Sequence, residues 1–158
     1  MEATKQKISL DKVFFTRSVV IAIQNHNPSK TDVNRVIPEN RIHVIPFEDK
    51  PGVFQVTMRT VINPSKDPSG PYLIDMECVG LFIADSALPP DEATNQVMLI
   101  GHGVLYGAIR EAVAWLTGRQ PYGQLMLNLS ILQSQSEEPK QVAIQESKKS
   151  PRKRPQTK

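Results

Sequence analysis

Three histidines, one cysteine and two strand carboxylates are the residues of this chain with the chemistry to make or break bonds. His26, His43 and His102 are widely separated. They lack the short helical or Cys-paired spacing that brings ligands to one metal, and no Ser or Cys beside them forms a nucleophile motif, so each reads as structural or solvent-facing. Cys78 is the single cysteine. It excludes an intramolecular disulfide within the chain, fits a reducing compartment and, inside a strand pattern, reads as a packed thiol. Asp75 and Glu77 fall on one strand face, as paired-carboxylate chemistry requires, but a solvated acidic face is the stronger reading. Gly101-His102-Gly103-Val104-Leu105-Tyr106-Gly107 follows a helical segment and has no Lys-Ser/Thr after it, so it is not a phosphate loop. No enzyme activity, metal or cofactor is expected from this inventory.

The elements that carry these residues divide the chain in two. Its 158 residues, 39% of them hydrophobic, allow one domain of ordinary size and a tail. Net charge is +3, which raises nucleic acid or an anionic membrane as partners, and the location of that charge decides between them. Seven of the 19 basic residues but three of the 16 acidic ones lie from Gln133 onward, leaving a nearly neutral body of 12 basic and 13 acidic residues. Residues 1–132 are therefore expected to form the domain, and residues 133–158, rich in Gln, Ser, Glu, Lys and Pro, a disordered polar and basic tail. Lys148-Lys149-Ser150-Pro151-Arg152-Lys153-Arg154 has the charge to bind nucleic acid or an acidic partner; a solubilising tail is the commoner explanation, so nucleic acid is not the expected ligand. The polar start of the chain is unlike a secretory signal, and the apolar run 14–23 is interrupted and too short to span a bilayer. A soluble, cytoplasmic protein without membrane insertion is the expectation.

Strand signals fill the first half. Val13–Ile23, Arg41–Phe47, Val53–Ile62 and Tyr72–Ala84 are predicted strands, separated by the turn residues 25–32, Pro51-Gly52 and 63–71. Val53–Ile62 alternates best, with Phe54, Val56, Met58 and Ile62 on one face and Gln55, Thr57 and Arg59 on the other. Gly80 leaves room for a bulge or a close approach. Pro89-Pro90-Asp91-Glu92 predicts a helix start, since proline suits the first turn and carboxylates the positive end of the dipole. Gly101-His102-Gly103 is expected to break this helix. A second helix then runs to Thr117, where Gly118 supplies a left-handed stop.

That second helix has apolar residues on more than one face: Leu105, Ile109, Ala112 and Leu116 at helical spacing, widened by Ala108, Val113 and Trp115. After it, Gln124-Leu125-Met126-Leu127-Asn128-Leu129 is an extended apolar tongue bounded by Pro121 and Gly123, suited to pack on something without being a central strand. A one-sided apolar sheet and a helix with more apolar surface than one contact buries predict association.

Two stretches carry a family resemblance. Leu105-Tyr106-Gly107-Ala108-Ile109-Arg110-Glu111-Ala112-Val113, with Gly118-Arg119 and the tongue 124–129, resembles the main helix and following loop of the SecB export chaperones. Tyr72-Leu73-Ile74-Asp75-Met76-Glu77-Cys78-Val79-Gly80-Leu81-Phe82 resembles that family's last strand. Phe54–Val61 sits where its preceding strand belongs, so the resemblance spans roughly residues 12–131 in the family's order. It implies an α+β fold, a four-stranded antiparallel sheet followed by helices. It also implies a tetramer, a dimer of dimers, and an ATP-independent chaperone that holds unfolded preproteins in apolar grooves and delivers them to the SecA motor for export.

Carried over residue by residue, the resemblance makes Phe15, Phe54, Phe82, Leu125, Met126, Leu127, Leu129 and Ile131 the client-binding candidates. Tyr106, Ile109, Arg110, Val113 and Trp115 become the oligomer-interface candidates, and Leu73 and Asp75 the partner-docking residues. For the groove and interface sets, ordinary core packing is the competing reading. The positions matching the family's first-strand docking carboxylates hold Ser18 and Ala22, and after Ile131-Leu132 the chain turns polar, with no apolar stripe for the family's lid helix. A dedicated chaperone of one partner, such as an antitoxin, is therefore the alternative to preprotein export, and a nucleic-acid-associated protein acting through the basic tail is the other.

Overall fold

A computed structural model of the chain describes residues 7–27, 29, 37–64, 70–130 and 132. Four strands, β1 (Ile8–Ala22), β2 (Glu39–Pro46), β3 (Val53–Ile62) and β4 (Tyr72–Ala84), precede one helix, α1 (Pro90–Thr117). The strands form one antiparallel sheet in the order β1-β4-β3-β2. This is the α+β architecture expected from the sequence.

Alternation puts the core on one face. Phe54, Val56, Met58, Thr60 and Ile62 of β3 are buried, as are Tyr72, Ile74, Met76, Cys78, Gly80 and Phe82 of β4, and the residues between them are half-exposed or line the other face. A cross-strand partner shares its neighbour's face, so the register identifies Ile42 and Val44 of β2 as members of the helix-side layer. β1 departs from the prediction. It begins at Ile8, which is 2% exposed and pairs with Ala84, and its register shifts between Leu10 and Lys12 and again between Phe15 and Arg17. Each shift reverses which side chains face inward. The helix-side set is thus Ile8, Leu10, Val13, Phe15, Ser18, Val20 and Ala22, which no single alternation could reveal. Gly80 is a close approach: a Cβ there would meet the Phe82 ring at 2.6 Å and Leu105 at 3.0 Å.

Two expectations about the helix are corrected. Gly101-His102-Gly103 does not break it, because Gly101 lies against Val56, where a Cβ would be 3.1 Å from both methyls. Tight packing on β3 holds the segment helical against the roughly 1 kcal/mol propensity cost of each glycine. Gly118 is right-handed, φ −59°, and ends the helix by donating to the Ala114 carbonyl at 3.0 Å. Helix α1 is long and apolar enough to cross a membrane by length and composition, yet here its buried stripe rests on the sheet.

That stripe also explains the tongue. Ala93, Val97, Gly101, Leu105, Ile109, Val113 and Thr117, all buried, follow one another at steps of four. Four residues turn a helix by about 400°, so the stripe drifts by about 40° per step and winds round the helix. The sheet meets it from Gly101, against Val56, to Thr117, whose carbonyl accepts from Tyr72 Oη at 3.4 Å. Residues 118–130 fold back to cover what has rotated away, with Leu127 joining the core cluster.

Candidate functional site

The tongue is held by the hydroxyls of all three tyrosines in the sequence. Tyr72 Oη donates to the Gly123 carbonyl at 2.6 Å, Tyr106 Oη to the Asn128 carbonyl at 2.6 Å, and Tyr122 Oη, from the tongue itself, to the Ile23 carbonyl at 2.7 Å. Thr117 adds a fourth tie: its buried Oγ1 donates to the Val113 carbonyl at 2.7 Å and accepts from the Leu125 amide at 2.9 Å. At the far end Ser130 Oγ is 3.1 Å from His102 Nε2 and accepts from Asn40 Nδ2 at 3.2 Å. His102 stacks parallel on Tyr106, and burial lowers its pKa, favouring the neutral ring. These anchors had no signal in the sequence, because a tyrosine that bonds a main-chain carbonyl has no motif.

Fixed in this way, the tongue buries Leu127 and turns the residues on either side of it outward. Leu127 is 4% exposed, whereas Met126 is 53% and Leu129 79% exposed. Of the other client-binding candidates, Phe82 is fully buried and Phe54 is a core residue at 5% exposure, Leu125 packs half-buried against the core, and Phe15 is exposed on the β1 edge. Ile131 lies outside the described residues. The structure therefore puts Met126 and Leu129 on the tongue surface with Leu127 beneath it, keeps Phe82 in the sheet's core beside Phe54, and leaves Phe15 on the β1 edge. Phe54 reaches a hollow of about 420 Å³ that also takes in Pro46, Phe47, Leu88, Pro90 and Ala93, which sequence reasoning did not single out.

Among the interface candidates, Tyr106, Ile109 and Val113 belong to the core of the single chain, while Arg110 is half-exposed and Trp115 is 58% exposed. The outward ridge of α1 instead bears Leu99 and Ile100, with Gly103 and Gly107, where an added Cβ would meet nothing within 4 Å.

On the opposite face of the sheet, Leu73 borders an apolar hollow of about 460 Å³ with Ile21, Ala22 and Ile23. Asp75 is held by two guanidiniums. Arg59 donates from Nε and a terminal nitrogen, both at 2.8 Å, and Arg17 donates at 3.1 Å. The Arg59 hydrogen bonds hold the carboxyl below its ordinary range, with the Arg59 and Arg17 charges adding to the effect against the opposing cost of burial. Glu77 accepts from Thr16 Oγ1 at 2.6 Å. Asp75 and Glu77 thus face partners within the sheet and do not form a carboxylate pair. His43 is exposed on β2, and His26 packs edge-on to Tyr122, so the three histidines occupy separate regions. Among the described residues no three His, Cys, Asp or Glu side chains cluster closely enough to hold a metal.

No protein-family model matches the chain, and no curated protein matches it. Among solved structures, a protein of unknown function from Streptococcus agalactiae aligns at 11% identity over 77% of this chain and 97% of that one, with a TM-score of 0.47. The Mycobacterium tuberculosis Rv1957 SecB-like chaperone, solved with a ChAD peptide from the Rv1956 HigA1 antitoxin, aligns at 19% identity over 81% of this chain and 94% of that one, with a TM-score of 0.58. The four-stranded antiparallel sheet, its strand order and the long helix laid across it are thus those of the SecB-like chaperone fold.

Proposed function

We propose that this chain is a chaperone that holds unfolded or partly folded protein segments, without nucleotide and without catalysis, on the apolar surface around α1 and the tongue. The observation that carries the reading is the set of large apolar side chains left exposed on a SecB-like fold: Leu99, Ile100, Trp115, Met126 and Leu129 are each at least 40% exposed. Such a surface gains about 25 cal/mol per Å² of client surface it covers, offset by ordering of the client, so several shallow contacts serve varied sequences better than one deep pocket. Self-association, with a tetramer as the expected form, belongs to the same proposal. The outward ridge of α1, where Gly103 and Gly107 let another backbone come close, and the open edge of β1 are the surfaces that favour it.

A dedicated client is favoured over general preprotein export. On the outer sheet face the β1 residues opposite Glu77, Asp75 and Leu73 are Arg17, Val19 and Ile21, none of them acidic, and Asp75 is already paired with Arg59 and Arg17. Little acidic surface is left for a basic motor domain such as that of SecA. The Mycobacterium tuberculosis neighbour was itself solved with an antitoxin peptide. The test is suppression of aggregation of a chemically unfolded client by the purified protein in the absence of nucleotide. Strict ATP dependence, or no suppression at stoichiometric ratio, would sink the reading. Capture of one recurring partner from source cells supports the dedicated role; capture of many unfolded exported proteins supports export.

A further inference from the structure

Where the tongue crosses the back of α1, Arg110, Glu111, Ala114, Trp115, Gln124 and Met126 line a shallow, open hollow of about 440 Å³, within the size range of ligand-binding clefts. Its floor is apolar, supplied by Ala114, Trp115 and Met126. Its rim is not neutral. Arg110 and Glu111 line it, and Arg119 lies over the Trp115 ring, 3.9 Å from the centroid, donating to the Trp115 carbonyl at 3.1 Å. The Nε of Arg110 is buried and has no hydrogen-bond partner. The Tyr106 hydroxyl, which donates to the Asn128 carbonyl, makes no hydrogen bond to it. Glu111, adjacent in sequence, lies about 100° round the helix from Arg110, and neighbouring positions on a helix do not face each other.

Among the described residues the Arg110 guanidinium, which lines the hollow, has no hydrogen-bond or ion-pair partner, and an incoming carboxylate can meet its terminal nitrogens with a charge-assisted bond. From this geometry, and resting on the client-holding reading above, we propose that the hollow is a selective subsite for a client segment in which an acidic residue stands next to a bulky apolar one. The carboxylate meets Arg110, and the apolar side chain lies between Trp115 and Met126. The Arg110 charge opposes a lysine at the same place.

The test uses the full chain and fluorescein-labelled peptides in a Gly/Ser frame that carry Leu-Asp-Phe, Leu-Asn-Phe or Leu-Lys-Phe. Fluorescence anisotropy at low salt should show the aspartate peptide binding about tenfold more tightly than the asparagine peptide, as one charge-assisted hydrogen bond implies. The lysine peptide should bind weakest, and added salt should narrow the differences. Arg110→Met should bring the aspartate and asparagine peptides to equal affinity. Trp115→Ala, at an exposed position that leaves folding intact, should weaken both peptides alike and keep their ratio. Equal binding of the three peptides by the wild-type protein overturns the proposal, as does an unchanged ratio in Arg110→Met. A change in sedimentation in that variant without a change in peptide preference also overturns it, since the hollow would then be a contact between copies. Aggregation suppression by the wild-type protein is read separately: holding without acid preference removes this proposal alone, and absence of holding removes the functional reading.

Discussion

Leu127→Ala tests whether the tongue is part of the core or a strap laid loosely over it. Leu127 is 4% exposed and belongs to the same buried cluster as Leu105, Ile109 and Val113. Truncation of a buried leucine costs about 2–5 kcal/mol, depending on how far the surroundings relax into the space. Because the tongue is irregular and the three tyrosines hold its backbone at discrete points, relaxation should be partial, and a loss of about 2–3 kcal/mol is expected. At roughly 4 °C per kcal/mol for a domain of this size, Tm should fall by about 8–12 °C. Met126, the adjacent residue, is 53% exposed, so Met126→Ala should cost less than about 1 kcal/mol and be felt in client binding. Urea and thermal unfolding followed by circular dichroism, at matched protein concentration, would measure both. The Leu125 amide, held by Thr117 Oγ1, provides a local readout by hydrogen exchange. A Leu127→Ala variant within about 0.5 kcal/mol of wild type, or Met126→Ala costing more than Leu127→Ala, would refute the docked tongue.

Three further outcomes are expected. Asp75 has a folded-state pKa below the ordinary carboxylate value of about 3.9, so its pairing stabilises the fold above that pH, and this contribution is lost as pH falls through the lowered value. The drop in urea midpoint between pH 6 and pH 3 should therefore be larger for wild type than for Asp75→Asn; equal drops would contradict it. Gly107→Ala, where nothing lies within 4 Å of the added carbon, should stabilise an isolated chain by up to about 1 kcal/mol, whereas Gly101→Ala should destabilise it through the Val56 contact; loss of the oligomer in Gly107→Ala, seen by sedimentation, would mark the ridge as a subunit contact. Burial pushes the Cys78 thiol up to about 11, so it should resist a disulfide reagent at pH 8 until denaturant is added, and rapid labelling of the native protein would show the strand open.

The parts of this fold legible in sequence are those where one period holds throughout an element. Phe54, Val56, Met58 and Ile62 reveal the inward face of β3, because nothing interrupts their alternation. In β1 the two register shifts bring Leu10 and Val13, and again Phe15 and Ser18, three apart in sequence, onto one face, so the pattern carries no consistent phase. The sequence predicts two helices in place of α1 because glycine propensity is local, while the Gly101–Val56 contact that overrides it joins residues distant in the chain. The tongue was recognised from its apolar composition, but which of its residues face inward follows from where the tyrosines fasten the backbone. Tyr106, Ile109 and Val113 differ from Trp115 only in position on the helix surface, and a stripe that winds with each four-residue step cannot be divided between inside and outside without knowing where the tongue returns.

Each of the three tyrosine hydroxyls that fasten the tongue bonds to a main-chain carbonyl. A carbonyl is present whatever side chain a residue bears. The outward positions at Gln124, Met126 and Leu129 can therefore exchange one side chain for another without loosening the attachment, while Leu127 and the tyrosines keep the path of the backbone fixed. Anchoring and surface chemistry are thus separated within a single short segment, and the outward surface of the tongue, the proposed client-holding one, is free to be rewritten in evolution or by design.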